Sequence, residues 1–176
     1  MTPLNEIIEK LHLIPLEGEG GMWARVYESD EFVKSSDFPN RKEDRPICNT
    51  IYYLITPNSF SSMHKLANDE VWYYHMGSSV ELLFVYPDGK SEIKVLGNDI
   101  ASGEQPQIYS VRGTYVGARM KDKNIEYSLL STSEAPAYRD SDYTIASYDE
   151  LRPLLSDDKH EELLKALTGE IKFIWN

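Results

Sequence analysis

Residues 59–77 read SFSSMHKLANDEVWYYHMG, two short alternating runs on either side of Ala67-Asn68-Asp69. Successive side chains of a strand point to opposite faces, so Phe60, Ser62, His64 and Leu66 share one side and Lys65 takes the other. Lysine keeps its ammonium in water, which turns His64 inward. On the second run Glu70, Trp72 and Tyr74 share a face, and His75 takes the outer one. A hairpin of the two runs would bring an imidazole and a carboxylate together beside two aromatic rings. Few convergent polar groups between apolar walls are the composition of a small-molecule pocket.

Working outward, strand candidates fill the centre of the chain: CNTIYYLIT (48–56), VELLFVY (80–86), SEIKVLG (91–97), QIYSV (107–111), TYVGARM (114–120) and EYSLLST (126–132). Pro87-Asp88-Gly89 is a strong turn and makes a hairpin of the two runs it joins. Such closely spaced short strands indicate a sandwich or barrel. Residues 34–46 are polar, hold two prolines and read as a surface loop. MTPLNEIIEKLHL at the start reads as an amphipathic helix, with Thr2 as cap, Pro3 in its first turn and Leu4, Ile7, Ile8 and Leu11 as a core stripe. Residues 148–155 and 157–167 have helical spacing, with Leu163, Leu164 and Leu167 on one face and Gly169 as the stop. Residues 170–176 read as a short strand or an ordered tail. The expected organisation is a single all-β domain over residues 1–176, with a helical extension at 1–13, a barrel at about 20–146 and C-terminal helices at 148–168.

Two central strands are apolar on both faces: Ile51, Tyr53 and Ile55 alternate with Tyr52 and Leu54, and Leu82, Phe84 and Tyr86 with Leu83 and Val85. A sheet with one wet face alternates cleanly, so the second face needs cover from the terminal helices or from another subunit. A homodimer is the economical form of the latter.

The 176 residues suit one domain. Twelve Tyr, five Phe and three Trp in a chain that is 41% hydrophobic argue against disorder. With 29 acidic against 18 basic residues the net charge is −11, which disfavours nucleic acid and anionic membrane surfaces as partners. No apolar run is long enough to span a bilayer, and Glu6 and Glu9 break any signal-peptide pattern. The lone Cys48 cannot form an internal disulfide, and a cytoplasmic location is the simplest expectation. Cys48 reads as a small buried apolar residue. His12 and His160 read as solvent-facing, and Glu134, Asp140 and Asp142 as a solvated acidic face.

The spacing in residues 59–77 resembles the first motif of the cupin superfamily. His64 stands at the first histidine, Leu66 replaces the second, Glu70 matches the glutamate and Gly77 follows six residues later. In the second motif Val111-Arg112-Gly113-Thr114-Tyr115-Val116 keeps the glycine and loses the proline and histidine. Together with EGGMWARVYES, TIYYLI, VELLFVYPDG, VLGNDIASGEQPQ, RGTYVGARM and EAPAYRDSDY, these pieces are similar to a family of small uncharacterised cupins, a domain of unknown function on a sugar-nucleotide-epimerase-like barrel. The resemblance implies a double-stranded β-helix (cupin jelly roll), usually dimeric. The family tends to carry an acid where Arg25 sits and a tryptophan where Tyr115 sits.

A catalytic metal generally takes three protein ligands. The two motifs supply His64 and Glu70, while Leu66 and Val116 have no donor atoms, so no cofactor is required and any divalent metal would bind at His64 and Glu70. Without metal, Glu70 could orient His64 as a base, with Tyr74 or Tyr115 as acid, in the isomerase or epimerase chemistry the resemblance implies. Arg112 and Arg119 are the only arginines near the second motif, thin provision for a nucleotide diphosphate. The expected ligand is a small organic molecule, sugar-like or flat and polar, contacted by His64, Glu70, Trp72, Tyr74, Gln107 and Tyr115. A catalytic isomerase and a non-catalytic scaffold are the alternatives.

Overall fold

A computed structural model describes residues 3–38 and 42–170. The first sheet is antiparallel, in the order β1 (Ile14–Pro15), β2 (Met22–Glu28), β5 (Asn49–Ile55), β12 (Ser128–Ala135), β7 (Asp69–Gly77) and β10 (Gln107–Ser110). The second runs β13 (Thr144–Ile145), β6 (Ser61–Lys65), β11 (Tyr115–Met120), β8 (Val80–Val85) and β9 (Ser91–Leu96). A two-stranded ribbon joins β3 (Phe32–Val33) to β4 (Arg45–Pro46). The helices are α1 (Pro3–Lys10), α2 (Tyr148–Leu151) and α3 (Glu161–Leu167). This is the expected all-β jelly roll with short terminal helices.

The strands apolar on both faces receive their second cover from the helices. Between the sheets, Tyr53, Ile55, Leu82, Phe84, Val116 and Leu130 form the inner core. Outside the second sheet, Met63, Leu83 and Val85 pack against Leu151, Leu163, Leu164 and Leu167. Outside the first sheet, Leu54, Met22 and Leu129 meet Leu4, Ile7, Ile8 and Leu11. That N-terminal cover is partial: Tyr27, Met76 and Tyr109 lie exposed on the first sheet's strands.

Several expectations are corrected. The runs around His64 and Glu70 are not a hairpin, because β6 pairs with β11 and β13 while β7 pairs with β12 and β10. The chain crosses from one sheet to the other at Leu66–Asn68, so the two residues approach across the barrel and not along a ladder. The segment 34–46 is not wholly a surface loop: Arg45 and Pro46 pair with β3 and are buried. His160 is buried and its Nδ1 meets Ser91 Oγ at 2.9 Å, tying the start of α3 to β9. Cys48 is half-buried. His12 and His75 are exposed as expected. The cap assigned to Thr2 and the reading of 171–176 fall outside the described residues.

The turn geometry follows the residues. Gly89 takes φ +82° in the β8–β9 hairpin, where Asp88 Oδ1 accepts the Lys90 N–H at 3.1 Å. Gly77 ends β7 at φ +95°, and a Cβ there would lie 2.2 Å from the Tyr127 carbonyl oxygen, so only glycine fits.

Candidate functional site

A cavity of about 600 Å³ opens between the two sheets at one end of the barrel. Its wall on the first sheet is built from rows of cross-strand neighbours. Glu28 faces Asn49, Asn49 faces Glu134, and Glu134 faces Glu70, a polar row across β2, β5, β12 and β7. The next row inward is Arg25, Ile51, Thr132 and Trp72. A register shift between Arg25 and Tyr27 lets Glu28 face the same side as Arg25, which strict alternation would forbid. His64 and Leu66 come from the β6 side, Trp23 from β2, and Glu19, Tyr138 and Arg139 from loops.

Burial grades the site. His64 is 1% exposed, Glu70 4% and Glu134 7%, whereas Arg25, Glu17 and Asp140 are exposed at the rim. At the rim Glu28 is engaged by both Arg25 and Arg139, the latter at 3.1 Å. Deeper in, Ser61 Oγ donates to Glu19 at 2.7 Å and Tyr53 Oη donates to the Gly20 carbonyl at 2.8 Å.

His64 is positioned by two contacts. Its Nδ1 lies 2.8 Å from the Ser62 carbonyl, and Tyr143 stacks on the ring at 5.0 Å between centroids. A carbonyl only accepts, so Nδ1 carries a proton, and of the two neutral tautomers the one with Nε2 as the lone pair fits this contact. Glu70 forms no hydrogen bond to His64 among the described residues, and the expected orientation of the imidazole by this carboxylate is replaced by the Ser62 carbonyl. Glu70 Oε2 and Trp72 Nε1 are both buried without a hydrogen-bond partner. Burial pushes the Glu70 carboxyl well above its usual range and the neighbouring Glu134 and Glu19 carboxylates push it further, while the Thr132 and Trp72 side chains oppose the shift. Glu134 is raised to about 7, chiefly by burial, with the Asn68 amide opposing.

His64, Glu70 and Trp72 therefore line the cavity as expected, while Tyr74, Gln107 and Tyr115 do not. Tyr74 lies two residues beyond Trp72, about 7 Å further along the strand. There the space between the sheets is filled by packed side chains, and its hydroxyl donates to the Gly77 carbonyl at 2.7 Å. Gln107 is exposed on the edge strand β10. Tyr115 points outward beneath Lys65, whose Nζ sits 4.8 Å from the ring centroid, and Val116 takes the inward place opposite His64. Trp72 is not a stacking platform either, because its ring is buried edge-on against Tyr53; Trp23, half-buried, lines the cavity with the Arg25 guanidinium 6.0 Å from its ring centroid.

The acidic stretch is only in part a solvated face: Asp140 is exposed as expected, but the other two acids are not. Glu134 and Asp142 are buried: Asn68 Nδ2 donates to Glu134 at 2.9 Å and to Asp142 at 3.2 Å, and Arg45 is paired with Asp142. Sequence reading ended the last strand at residue 132 and so missed Glu134. Continuing the inward phase of Leu130 and Thr132 by one step would have found it.

A family model described as the cupin superfamily (DUF985) matches residues 5–146. The chain belongs to the cupin superfamily. It is 32% identical over 118 residues to the uncharacterized protein YML079W of Saccharomyces cerevisiae, covering 64% of this chain and 58% of that protein, so it spans a little over half the relative's length. Two solved structures, protein SO0799 from Shewanella oneidensis and a hypothetical protein from Leishmania major, each superpose with TM-score 0.81 at 27% identity. Each comparison covers 96% of this chain, and 99% and 100% of those chains respectively. Oxalate decarboxylase from Bacillus subtilis shares the fold at 16% identity and TM-score 0.54, over 94% of this chain and 40% of that one.

Cupin barrels can hold metals at the motif positions, so the donor set matters. In this chain Leu66 and Val116 occupy two of the four positions, and His64 has only Nε2 available. Among the described residues no three His, Cys, Asp or Glu side chains are grouped to bind an ion. The residues present do not fit a metal centre, and no chemical step is routed through one. No helix among the described residues is long and apolar enough to cross a membrane.

Proposed function

We propose that the barrel cavity binds a small neutral molecule rich in hydroxyls, of the sugar class. The observation that carries this reading is the pair of unpartnered buried atoms, Glu70 Oε2 and Trp72 Nε1, on residues two apart on one strand face. An acceptor and a donor buried without partners are costly, of the order of 1–3 kcal/mol each. One ligand hydroxyl satisfies both, since it donates and accepts. Trp23 supplies an apolar surface for a sugar ring, and Asn49, Thr132 and Glu134 supply further polar contacts. The volume suits a molecule of this size. Native mass spectrometry of the purified protein, followed by saturation-transfer NMR with neutral monosaccharides, tests the reading. Trp72→Phe keeps an aromatic ring and removes the N–H, and should weaken binding about tenfold. Unchanged affinity in that variant removes the support.

A catalytic version is favoured by one observation, the Nδ1 anchor on the Ser62 carbonyl that leaves His64 Nε2 as a base within the cavity. In this reading the protein is a sugar isomerase or epimerase. Incubating aldoses and ketoses with the protein in deuterated water should exchange the hydrogen beside the carbonyl, and His64→Gln should abolish the exchange. Exchange surviving in that variant rules out His64 as base.

The same proposal includes a homodimer through the first sheet, whose outer face leaves Tyr27, Met76 and Tyr109 uncovered. Light scattering at micromolar concentration should give twice the chain mass; a monomer mass sinks it.

A further inference from the structure

We propose that the cavity is built for two linked sugar units, a terminal one at its closed end and a second at its mouth. Its ligand is then a neutral disaccharide or the end of a longer neutral chain. The inference rests on the sugar-class reading above and adds the size of the ligand and its direction of entry.

The cavity runs across the first sheet. Its polar row steps from Glu28 on β2 to Asn49 on β5, Glu134 on β12 and Glu70 on β7. Neighbouring strands lie about 4.8 Å apart, so the three steps span about 14 Å, longer than one six-membered ring. The volume agrees. A water takes about 30 Å³ in the liquid, an upper figure for a bonded heavy atom, so the carbons and oxygens of a hexose fill less than about 360 Å³. The cavity holds about 600 Å³, which leaves room for a second unit.

Burial gives the row a direction. At β2, Arg25 is exposed and Glu28 half-buried, whereas Asn49, Glu134 and Glu70 are buried. Beyond β7 the edge strand β10 closes the far side: Ile108 and Ser110, the cross-strand partners of Trp72 and Glu70, are both buried. A ligand therefore enters on the β2 side and stops against β7, and a chain goes in by its end.

The two ends differ in chemistry. The closed end holds the unpartnered Glu70 Oε2 and Trp72 Nε1, with Thr132 directly opposite Trp72, and takes the hydroxyls of a terminal unit. The mouth adds Trp23, Tyr138, Arg25 and Arg139 to the lining. Glu28 holds both guanidiniums, which fixes them in place and leaves each with further N–H donors for hydroxyls. Donors fixed in advance lose little freedom on binding. Glu17, Glu28 and Asp140 stand among them, so the mouth holds no excess of positive charge to attract an acidic unit. Between the two ends lie Asn49 and Ile51 of β5, at the level of the linkage.

Saturation-transfer NMR titrations test this with D-glucose, D-galactose and D-mannose, with maltose, cellobiose, lactose and mannobiose, and with maltotriose and cellotriose. At least one disaccharide should bind about tenfold tighter than its component monosaccharides, and a trisaccharide should gain less than about twofold more, because its third unit lies outside the mouth. Trp72→Phe at the closed end should weaken both sizes alike and keep their ratio. Trp23→Ala at the mouth should bring the ratio close to one. Should Trp23→Ala fail to fold, Arg139→Gln gives the same reading from the loop side. Disaccharides that bind no tighter than monosaccharides, a trisaccharide about tenfold tighter than the disaccharide, or a ratio that survives the mouth variant each overturn the two-unit cavity. In those cases monosaccharide binding still upholds the sugar-class reading. Binding of none of these sugars overturns that reading itself, so the two failures are separable.

Discussion

Glu70 and Glu134 face each other across neighbouring strands β7 and β12, both buried inside the barrel. Both carboxyls are raised in the folded state, so the native protein binds more protons than the unfolded chain between the ordinary glutamate range and the folded values. Their stability contribution is fully present below the unfolded pKa and is lost as pH rises through the folded one.

Glu134→Gln should therefore gain stability relative to the parent at alkaline pH and little at about pH 4. Glu134 shifts from 4.5 to about 7, which corresponds to an upper limit on the order of 3 kcal/mol at high pH. Urea denaturation at several pH values measures it. A gain that is the same at acid and alkaline pH contradicts the shift.

Asp142→Asn should be strongly destabilising, by about 3–5 kcal/mol, because it takes the buried counter-charge from the Arg45 guanidinium and leaves it the exposed Glu43 carboxylate, 3.7 Å away. Arg45→Met together with Asp142→Leu should recover much of that loss, since the pair's desolvation cost disappears with its attraction. Chemical denaturation of the single and double variants gives the comparison.

The His64 ring should be found as the Nδ1–H tautomer, fixed by the Ser62 carbonyl. Long-range 1H–15N spectra distinguish the two neutral forms. An Nε2–H pattern would remove His64 from consideration as a base.

Leu164→Ala should cost about 2–5 kcal/mol, because Leu164 is fully buried where α3 covers the second sheet. Ile7→Ala on the partly exposed α1 should cost less. Equilibrium unfolding of both variants checks the order.

Metal analysis of protein before and after chelation should show no stoichiometric divalent ion, and chelation should leave the melting temperature unchanged. A firmly held ion would show that Glu70 is ionised and ligated, against the two-donor set that His64 and Glu70 provide.

Alternation within a single strand was a reliable guide. It correctly turned His64, Glu70 and Trp72 inward and His75 outward, because the side-chain period is a local property of extended backbone. It failed for Tyr74, since facing inward does not say which part of the interior is open and which is packed. Tyr115 and Gln107 were not placed by alternation, and they miss the cavity because Tyr115 faces outward and Gln107 lies exposed on an edge strand. Glu134 was lost through a strand end placed three residues early, and Arg45 through a polar stretch read as wholly exposed.

The double-apolar strands, the turn glycines and the His64–Glu70–Gly77 spacing were fixed by residue order alone and established the jelly roll and its family. Strand pairing between distant segments decided the rest. The Glu70–Glu134 opposition, the Arg25–Glu28 phase set by the register shift and the burial of Asp142 against Arg45 all depend on non-local register. No window of local sequence encodes it, because it is the packing of the whole barrel that selects which strand lies beside which.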